Sequence, residues 1–332
     1  MGRSLAIGLL GKRVAWAFLV LIAAGLSHNA RAQTADETVA NQWFTGSLEA
    51  PSPALSKGGS FAMEPYAIYT SNTGAYNDGG GHYSVAHNLN QAQSVTMLEY
   101  GITNRLSIQV LPSFAYSWNN QTTSSGVGAG DLPLDLKYRL IDENDKTGSP
   151  SVTFDLGMNF PIGAYDRLST QLDGLGTGAY TVKEGLLLQS LFDTWGDHPM
   201  RLRLFGAAYE PLTDVSVHDL SVYGTAPGFL GQAAPGFAAD VGLGVEYGLN
   251  QRWVVAIDLV ENYADGFRLN GTDAAGDSVH AHTASSTNLG LAPAIEYNWS
   301  NSVGLIAGVE FSVAGRNTAS YIAPQLALSI SF

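Results

Sequence analysis

The last fourteen residues of the chain, 319–332, alternate apolar and small or polar side chains with a period of two. One face carries Ile322, Pro324, Leu326, Leu328, Ile330 and Phe332, and the other carries Tyr321, Ala323, Gln325, Ala327, Ser329 and Ser331. Strict alternation is typical of a β-strand whose two faces meet different environments. The polar face has no charged group, and the apolar face continues to the last residue. The pattern predicts a strand with one face in a hydrophobic medium.

The same alternation recurs from residue 59 onward. It predicts strands at about 59–70, 106–118, 132–140, 152–160, 179–192, 201–210, 237–247, 253–263, 289–299 and 303–313. The second strand lies between the first two of these ranges and ends at Glu99-Tyr100. The strands near 179–192 and 201–210 alternate poorly, so their registers stay open. The connections are short at one end and mostly long at the other, which is typical of transmembrane barrels. Hydrocarbon offers no partner to an open sheet edge. The predicted fold class is therefore all-β, a transmembrane antiparallel up-and-down β-barrel of about twelve strands.

The N-terminal part of the chain predicts export. Basic residues precede an apolar run at 14–26, and Ala30-Arg31-Ala32 offers a small-x-small cleavage site, so residues 1–32 are predicted to be a signal peptide. Residues 33–57 lack periodicity but contain Trp43, Phe44 and Leu48, which a free tail would leave in water. We expect this segment at the periplasmic mouth or inside the barrel lumen. Residues 58–332 are predicted to form the barrel, in a bacterial outer membrane.

Composition narrows the classes of partner. The chain has a formal net charge of −13 and only 14% charged residues. The acidic balance argues against nucleic acid, and the absence of Cys excludes disulfides and thiolate metal sites. His280 and His282 could touch a metal, but two His without a third ligand are better interpreted as a solvated loop pair. No cofactor or metal is predicted. The expected partners are outer-membrane lipid, the barrel-assembly machinery and small hydrophobic solutes.

Charged residues at inward-facing positions are the candidate site. Strand parity places these side chains in the lumen: Glu64, Glu99, Arg105, Asp135, Lys137, Arg139, Asp155, Asp240, Glu246, Asp258, Glu296 and Glu310. They could select a permeating solute, or they could pair with one another and fill a modest barrel, since unpaired buried charges are costly. On the opposite face, Tyr100, Tyr247 and Tyr297, with Tyr138, Trp253 and Trp299, predict a lower aromatic girdle.

An outer-membrane hydrolase is a less favoured alternative. Such a site generally needs His close to Ser or Asp at the membrane rim. All His residues after the predicted signal peptide fall in connections between the predicted strands: His82, His87, His198, His218, His280 and His282. No catalytic residue is therefore predicted.

Four sequence blocks carry a family resemblance. They are residues 43–54 (WFTGSLEAPSPA), 64–66 (EPY), 128–140 (GAGDLPLDLKYRL) and 157–163 (GMNFPIG). Together they resemble the family named for the MetA pathway of phenol degradation, whose members are often labelled outer-membrane transporters. The resemblance extends over most of the chain after the signal peptide and implies a barrel that handles aromatic or other hydrophobic compounds. The C-terminal strand also resembles the closing strand of outer-membrane barrels, in which a terminal aromatic, here Phe332, is an assembly signal.

These observations favour passive passage of small hydrophobic or aromatic molecules. The alternative is a structural or adhesive barrel with a closed lumen. Pro65 and Pro324 lie within the first and last strands, at what we expect to be similar heights. Because Pro lacks the N–H of a sheet ladder, this seam is a candidate sideways exit. Alternatively, the nitrogen of each proline points away from the neighbouring strand, so that no ladder bond is lost there. Pro112 and Pro293 also occupy mid-strand positions.

Overall fold

Twelve antiparallel strands form a closed barrel. The computed structural model describes residues 42–144, 149–194 and 198–332, so the predicted signal peptide lies outside the described residues. The barrel strands are β1 (Phe61–Tyr76), β2 (Asn90–Thr103), β3 (Leu106–Val110 and Ser113–Trp118), β4 (Leu132–Ile141), β5 (Ser151–Phe160), β6 (Thr181–Asp193), β7 (Pro199–Pro211), β8 (Ala238–Gly248), β9 (Trp253–Ala264), β10 (Ser286–Asn298), β11 (Val303–Arg316) and β12 (Thr318–Ser331). Each strand pairs with the next, and β12 pairs with β1 to close the barrel. The predicted fold class and strand count are confirmed.

Side-chain alternation separates a lipid-facing wall from a lumen. In β12, Ile322 and Leu326 point outward and are exposed, whereas Ala323 and Ala327 are buried inside. In β9 the outward Val255 likewise alternates with buried inward neighbours. A strand places successive side chains on opposite faces, so apolar outward positions and small or polar inward positions produce this wall directly.

One predicted strand is interrupted. Residues 106–118 were expected to be continuous, but β3 divides at Leu111 and Pro112. The ladder continues around the break, because Leu111 N–H donates to the Pro133 carbonyl at 3.2 Å and the Pro112 carbonyl accepts from Thr96 N–H at 3.0 Å. Pro112 lacks a donor of its own, which accounts for the division.

The long connections build a second, smaller sheet that the sequence did not predict. Its strands are Val215–His218, Leu230–Ala234, Arg268–Thr272 and Ser278–His282. Val217, Phe229 and Leu269 bury their side chains in its core. A further short strand, His82–Tyr83, pairs with the end of β1. The expectation that no His lies in a strand was therefore wrong for His82, His218, His280 and His282, because short strands inside loops leave little periodic signal.

Two further features concern the connections. The turn from β11 to β12, on the side where long connections were expected, is the single residue Asn317, whose φ is +50°. Asn tolerates this left-handed conformation better than most residues. Among the described residues, no helix is long and apolar enough to cross a membrane.

Residues 42–57, here called the luminal segment, pack inside the barrel. Leu48 is buried in a cluster with Ala292, Ile306 and Ala327, which are contributed by β10, β11 and β12. Ala50 joins a second cluster with Leu187, Phe205 and Val260, from β6, β7 and β9. The apolar core of the barrel is thus assembled around a segment that precedes the first strand.

Candidate functional site

Wall carboxylates hold the backbone of the luminal segment. The side chain of Glu296 accepts the N–H of Thr45 at 2.7 Å, that of Asp258 accepts the N–H of Glu49 at 2.9 Å, and that of Glu99 accepts the N–H of Ser56 at 2.6 Å. The segment forms no β-ladder with the strands around it, so its buried N–H groups need other acceptors. Carboxylates on three different strands satisfy them.

Wall cations bind the carbonyl groups of the same segment. Arg203 donates to the Ala50 carbonyl at 3.0 Å, and Arg139 donates to the Pro53 carbonyl at 2.8 Å. The guanidinium of Arg201 lies 4.3 Å from the centre of the Phe44 ring, a cation–π geometry. The segment is therefore held by both signs of charge on the surrounding strands.

The inward charges also pair with one another. Lys183 donates to Asp135 at 2.8 Å and to Asp155 at 2.7 Å, and Lys137 lies 3.5 Å from Glu99. Glu246 pairs with Arg201 and also with Arg203, the latter at 3.5 Å. Breaking one partner of such a buried pair leaves an uncompensated charge.

Sequence reasoning missed three of these cations, Lys183, Arg201 and Arg203, because they lie on β6 and β7, whose alternation is weak. The period-two spacing of the two arginines was the available signal.

The structure buries eight of the twelve predicted candidates: Glu64, Glu99, Asp135, Lys137, Asp155, Glu246, Asp258 and Glu296. Arg139, Asp240 and Glu310 are half-buried; the Tyr321 hydroxyl donates to Glu310 at 2.6 Å. Arg105 was predicted to face the lumen, and this was wrong. It lies in the turn between β2 and β3, its side chain is 53% exposed, and it pairs with Asp142. Parity fails there because the strand has ended.

The luminal segment adds an acid, Glu49, to the inner wall. Its carboxylate accepts a hydrogen bond from the Gln325 side-chain amide on β12. Burial raises the pKa of Glu49 from 4.5 to about 8, and the nearby charges of Glu310 and Asp258 add to the rise, whereas the bond from Gln325 opposes it. Docking of the segment therefore places a carboxyl group where its charged form is disfavoured.

A cavity remains between the luminal segment and the wall. Its volume is about 470 Å³, and its barrel side is formed chiefly by β1, β2, β3 and β12. Apolar side chains of Ile68, Val95, Met97 and Leu111 line it together with polar groups that include Glu64. Small-molecule sites typically combine an apolar wall with a few polar groups at volumes of ~300–1,000 Å³.

A second concavity of about 880 Å³ lies against the same strands. Its lining includes two rows of outward-facing side chains, and each row runs from strand to strand along the outer surface of the barrel. One row is Ala307, Leu326, Ala67, Ser94 and Phe114; the other is Val309, Pro324, Tyr69, Ala92 and Tyr116. Small Ala and Ser side chains form the floor, and larger apolar side chains border it. Ile68 and Gln325 line both this outer groove and the inner cavity.

The seam between β1 and β12 has two gaps at this place. The paired positions of β1 are 62–63, 66–68, 71–72 and 74–76, so pairs are missing at 64–65 and 69–70 although the register is the same on both sides of each gap; it shifts only between Asn72 and Gly74. Pro65 lies in the first gap, and Pro324 falls opposite the second. Pairing of β1 with β2 is continuous from Phe61 to Ser71.

The prolines were expected at similar heights, but the register separates them by four residues, about 13 Å at ~3.3 Å per residue. Another gap occurs at Pro293 between β10 and β11.

The turn end of the barrel carries exposed aromatic side chains. Tyr100, Tyr138, Trp253 and Trp299 are exposed, and Tyr297 lies 4.7 Å from Trp253 and 5.2 Å from Trp299 between ring centres. Phe332 is also exposed, its N–H donates to the Phe61 carbonyl at 2.8 Å, and its ring lies 6.0 Å from that of Phe61.

The His residues of the loops form no metal cluster. His280 Nδ1 lies 2.8 Å from the side-chain oxygen of Asn270, and His218 Nδ1 lies 3.0 Å from Asp166. Within the part of the chain that the structure describes, no group of three or more His, Cys, Asp or Glu is arranged to hold a metal ion. Asp166 also accepts the backbone N–H of His218, so this pair joins two connections.

The fold and the occupied lumen define the class of protein: a twelve-stranded outer-membrane β-barrel whose interior holds a segment that precedes the first strand. A family model described as "Putative MetA-pathway of phenol degradation" matches residues 67–195. The predicted resemblance is confirmed over this part of the chain, which excludes the blocks at 43–54 and 64–66.

Solved structures of other proteins also match the chain. The COG4313 outer membrane channel from Pseudomonas putida F1 matches with a TM-score of 0.60 and 16% identity, covering 86% of this chain and 100% of that one. The transport unit of the autotransporter AIDA-I from Escherichia coli matches with a TM-score of 0.49 and 13% identity, covering 89% and 96%. No curated protein sequence matches the chain.

Proposed function

We propose that this protein is an outer-membrane channel for passive passage of small hydrophobic or aromatic compounds, with the luminal segment occluding the barrel at rest. The observation that carries the proposal is the arrangement at the β1–β12 seam. There, the inner cavity and the outer apolar groove share Ile68 and Gln325 as lining residues. A solute in the inner cavity is thus separated from the lipid-facing groove by a single layer of wall.

The discontinuous seam supports a sideways exit at this position. Missing ladder pairs flank the three paired residues Tyr66, Ala67 and Ile68. Fewer ladder bonds lower the cost of separating two strands, since each backbone hydrogen bond contributes about 0.5–1.5 kcal/mol. A hydrophobic solute also gains by leaving into hydrocarbon instead of crossing a polar lumen.

The comparisons support the same class of function. The structure from Pseudomonas putida is described as an outer membrane channel, and the matching family model refers to phenol degradation. The closed structural barrel remains the alternative because the luminal segment packs inside the lumen. The apolar groove on the outer wall favours the channel, since a purely structural barrel needs no concavity beside a seam that lacks ladder pairs.

The experiment locks the seam with a disulfide. Ala67 and Leu326 are directly opposed in the register and both face outward, so Ala67→Cys with Leu326→Cys joins β1 to β12 in a chain without native Cys. Uptake of toluene into proteoliposomes should fall on oxidation and return on reduction. The matched control, Val245→Cys with Ile257→Cys, joins the gap-free pair β8 and β9 and should leave uptake unchanged. If oxidation of the seam cysteines leaves toluene uptake unchanged, the sideways route is contradicted. If vesicles with the wild-type protein take up no more toluene than empty vesicles, the channel is contradicted.

A further inference from the structure

The inner cavity is lined by an acid as well as by apolar side chains. Its apolar wall is formed by Ile68, Val95, Met97 and Leu111, and Glu64 is the acid of β1 that lines it. A ligand would therefore have an apolar body on one side and a polar contact on the other. The volume of about 470 Å³ accommodates a single ring or a short chain.

The cations that line the cavity are already engaged. Lys137 donates to Gln109 at 2.5 Å and lies 3.5 Å from Glu99. Arg203 donates to the carbonyl of Ala50 at 3.0 Å and lies 3.5 Å from Glu246. A ligand carboxylate would have to displace these acceptors before it found a cation. The cavity is therefore unfavourable to anions.

Glu99 lies 3.5 Å from Lys137, whereas Glu64, like Glu49 with its bond from Gln325, has only neutral hydrogen-bond donors. The Tyr66 hydroxyl donates to its carboxylate at 2.7 Å, and the Ser329 hydroxyl donates to it as well. A carboxylate has about four acceptor positions, so two hydroxyl donors leave capacity for another. Glu64 is itself buried, with 8% exposure, and a further donor on it would be well shielded from water.

We propose that this cavity binds a neutral molecule that combines a compact apolar ring or chain with one hydroxyl donor, and that Glu64 determines this specificity by accepting from the hydroxyl. The inference rests on the proposed function, because it names the solute class that would occupy the channel. A charged amine meets the acids Glu49, Glu64 and Glu99 as well as Lys137 and Arg203, but it must lose its hydration on entry, a cost that a neutral alcohol does not bear. A pure hydrocarbon fits the wall but leaves the polar contact unused.

The test uses four ligands that share a phenyl ring: benzyl alcohol, toluene, benzoate and benzylamine. Binding is measured by saturation-transfer NMR on protein in nanodiscs, with empty nanodiscs as the reference for partition into lipid. Benzyl alcohol should bind at least about tenfold more tightly than toluene, since a hydrogen bond to a charged group is worth about 1.5–3 kcal/mol. Benzoate and benzylamine should bind more weakly than the alcohol.

Two variants identify the acceptor. Glu64→Leu should abolish the preference for the alcohol over toluene, whereas Tyr66→Phe, which removes a competing donor but keeps the carboxylate, should preserve it. Heat-modifiable migration of both variants verifies that the barrel has formed. Equal binding of alcohol and toluene to the wild type, tighter binding of either charged ligand, or an unchanged preference in Glu64→Leu would overturn the proposal. Toluene uptake into proteoliposomes that contain the same proteins reports separately on the channel, so each hypothesis can fail alone.

Discussion

Raising the pH from 6 to 8 should release the luminal segment. Glu49 is the perturbed group, and its pKa is about 8 when it is docked, against an ordinary value of 4.5. Its docked environment contains Gln325 on β12, Glu310 on β11 and Asp258 on β9. Since the pKa is raised on docking, the docked form holds more protons. Docking is therefore strongest below pH 4.5, weakens as the pH rises, and loses this contribution above about pH 8.

The size of the effect follows from the two pKa values. With 4.5 for the free and about 8 for the docked carboxyl, proton linkage lowers the ratio of docked to undocked segment by about 50-fold between pH 6 and pH 8. That change corresponds to about 2.3 kcal/mol, because a factor of ten is ~1.4 kcal/mol. The effect is large enough to measure even when the undocked population is small.

The assay is the rate at which a maleimide labels a buried thiol. Ala50→Cys places the thiol at a position that is 2% exposed in the docked segment, so the labelling rate reports the undocked fraction. The matched control adds Glu49→Gln, which keeps the contact with Gln325 but cannot ionise. The ratio of the two rates removes the pH dependence of the thiol itself. It should rise about 50-fold from pH 6 to pH 8.

Two results would refute this reasoning. If both proteins show the same pH profile, Glu49 does not govern docking. If Asp214→Asn, at an exposed loop position, flattens the profile as Glu49→Gln should, then general surface charge controls the segment. Neither result would bear on the fold.

Three further outcomes are expected. Removing Phe332 or introducing Leu328→Asp should leave the protein unassembled and protease-sensitive, since a charge facing lipid near the midplane costs ~2–4 kcal/mol for a basic group and less for an acid; normal heat-modifiable migration would contradict this. Deleting residues 33–57 should raise conductance in planar bilayers, and unchanged conductance would make the segment a linker. Arg203→Ala should destabilise the barrel by about 1–3 kcal/mol in denaturant titrations, since the buried Ala50 carbonyl loses its donor and Glu246 keeps only Arg201, while Arg252→Ala, at an exposed turn, should cost less than 1 kcal/mol. Equal losses in the free energy of unfolding would show that the buried contacts of Arg203 stabilise the barrel no more than the exposed contacts of Arg252.

The alternation of side chains determined the architecture. Period-two patterns such as that of β12 predict strand, face and lipid contact together, because the pleat sends neighbouring residues to opposite sides whatever the rest of the chain does. The same parity placed Glu99, Glu246 and Glu296 inside the barrel, where each is buried. These are local properties, and a single strand suffices to express them.

Tertiary structure decided which side chains meet. Nothing local predicts that the Glu296 side chain accepts from Thr45 N–H, or that Asp258 binds the backbone next to Glu49, since these residues lie more than 200 positions apart in sequence. The Lys183 contacts depend on the registers of the three consecutive strands β4, β5 and β6, and the outer groove depends on the register of β12 against β1. Contacts across a closed sheet are set by register and curvature, which belong to the whole barrel and not to any one strand.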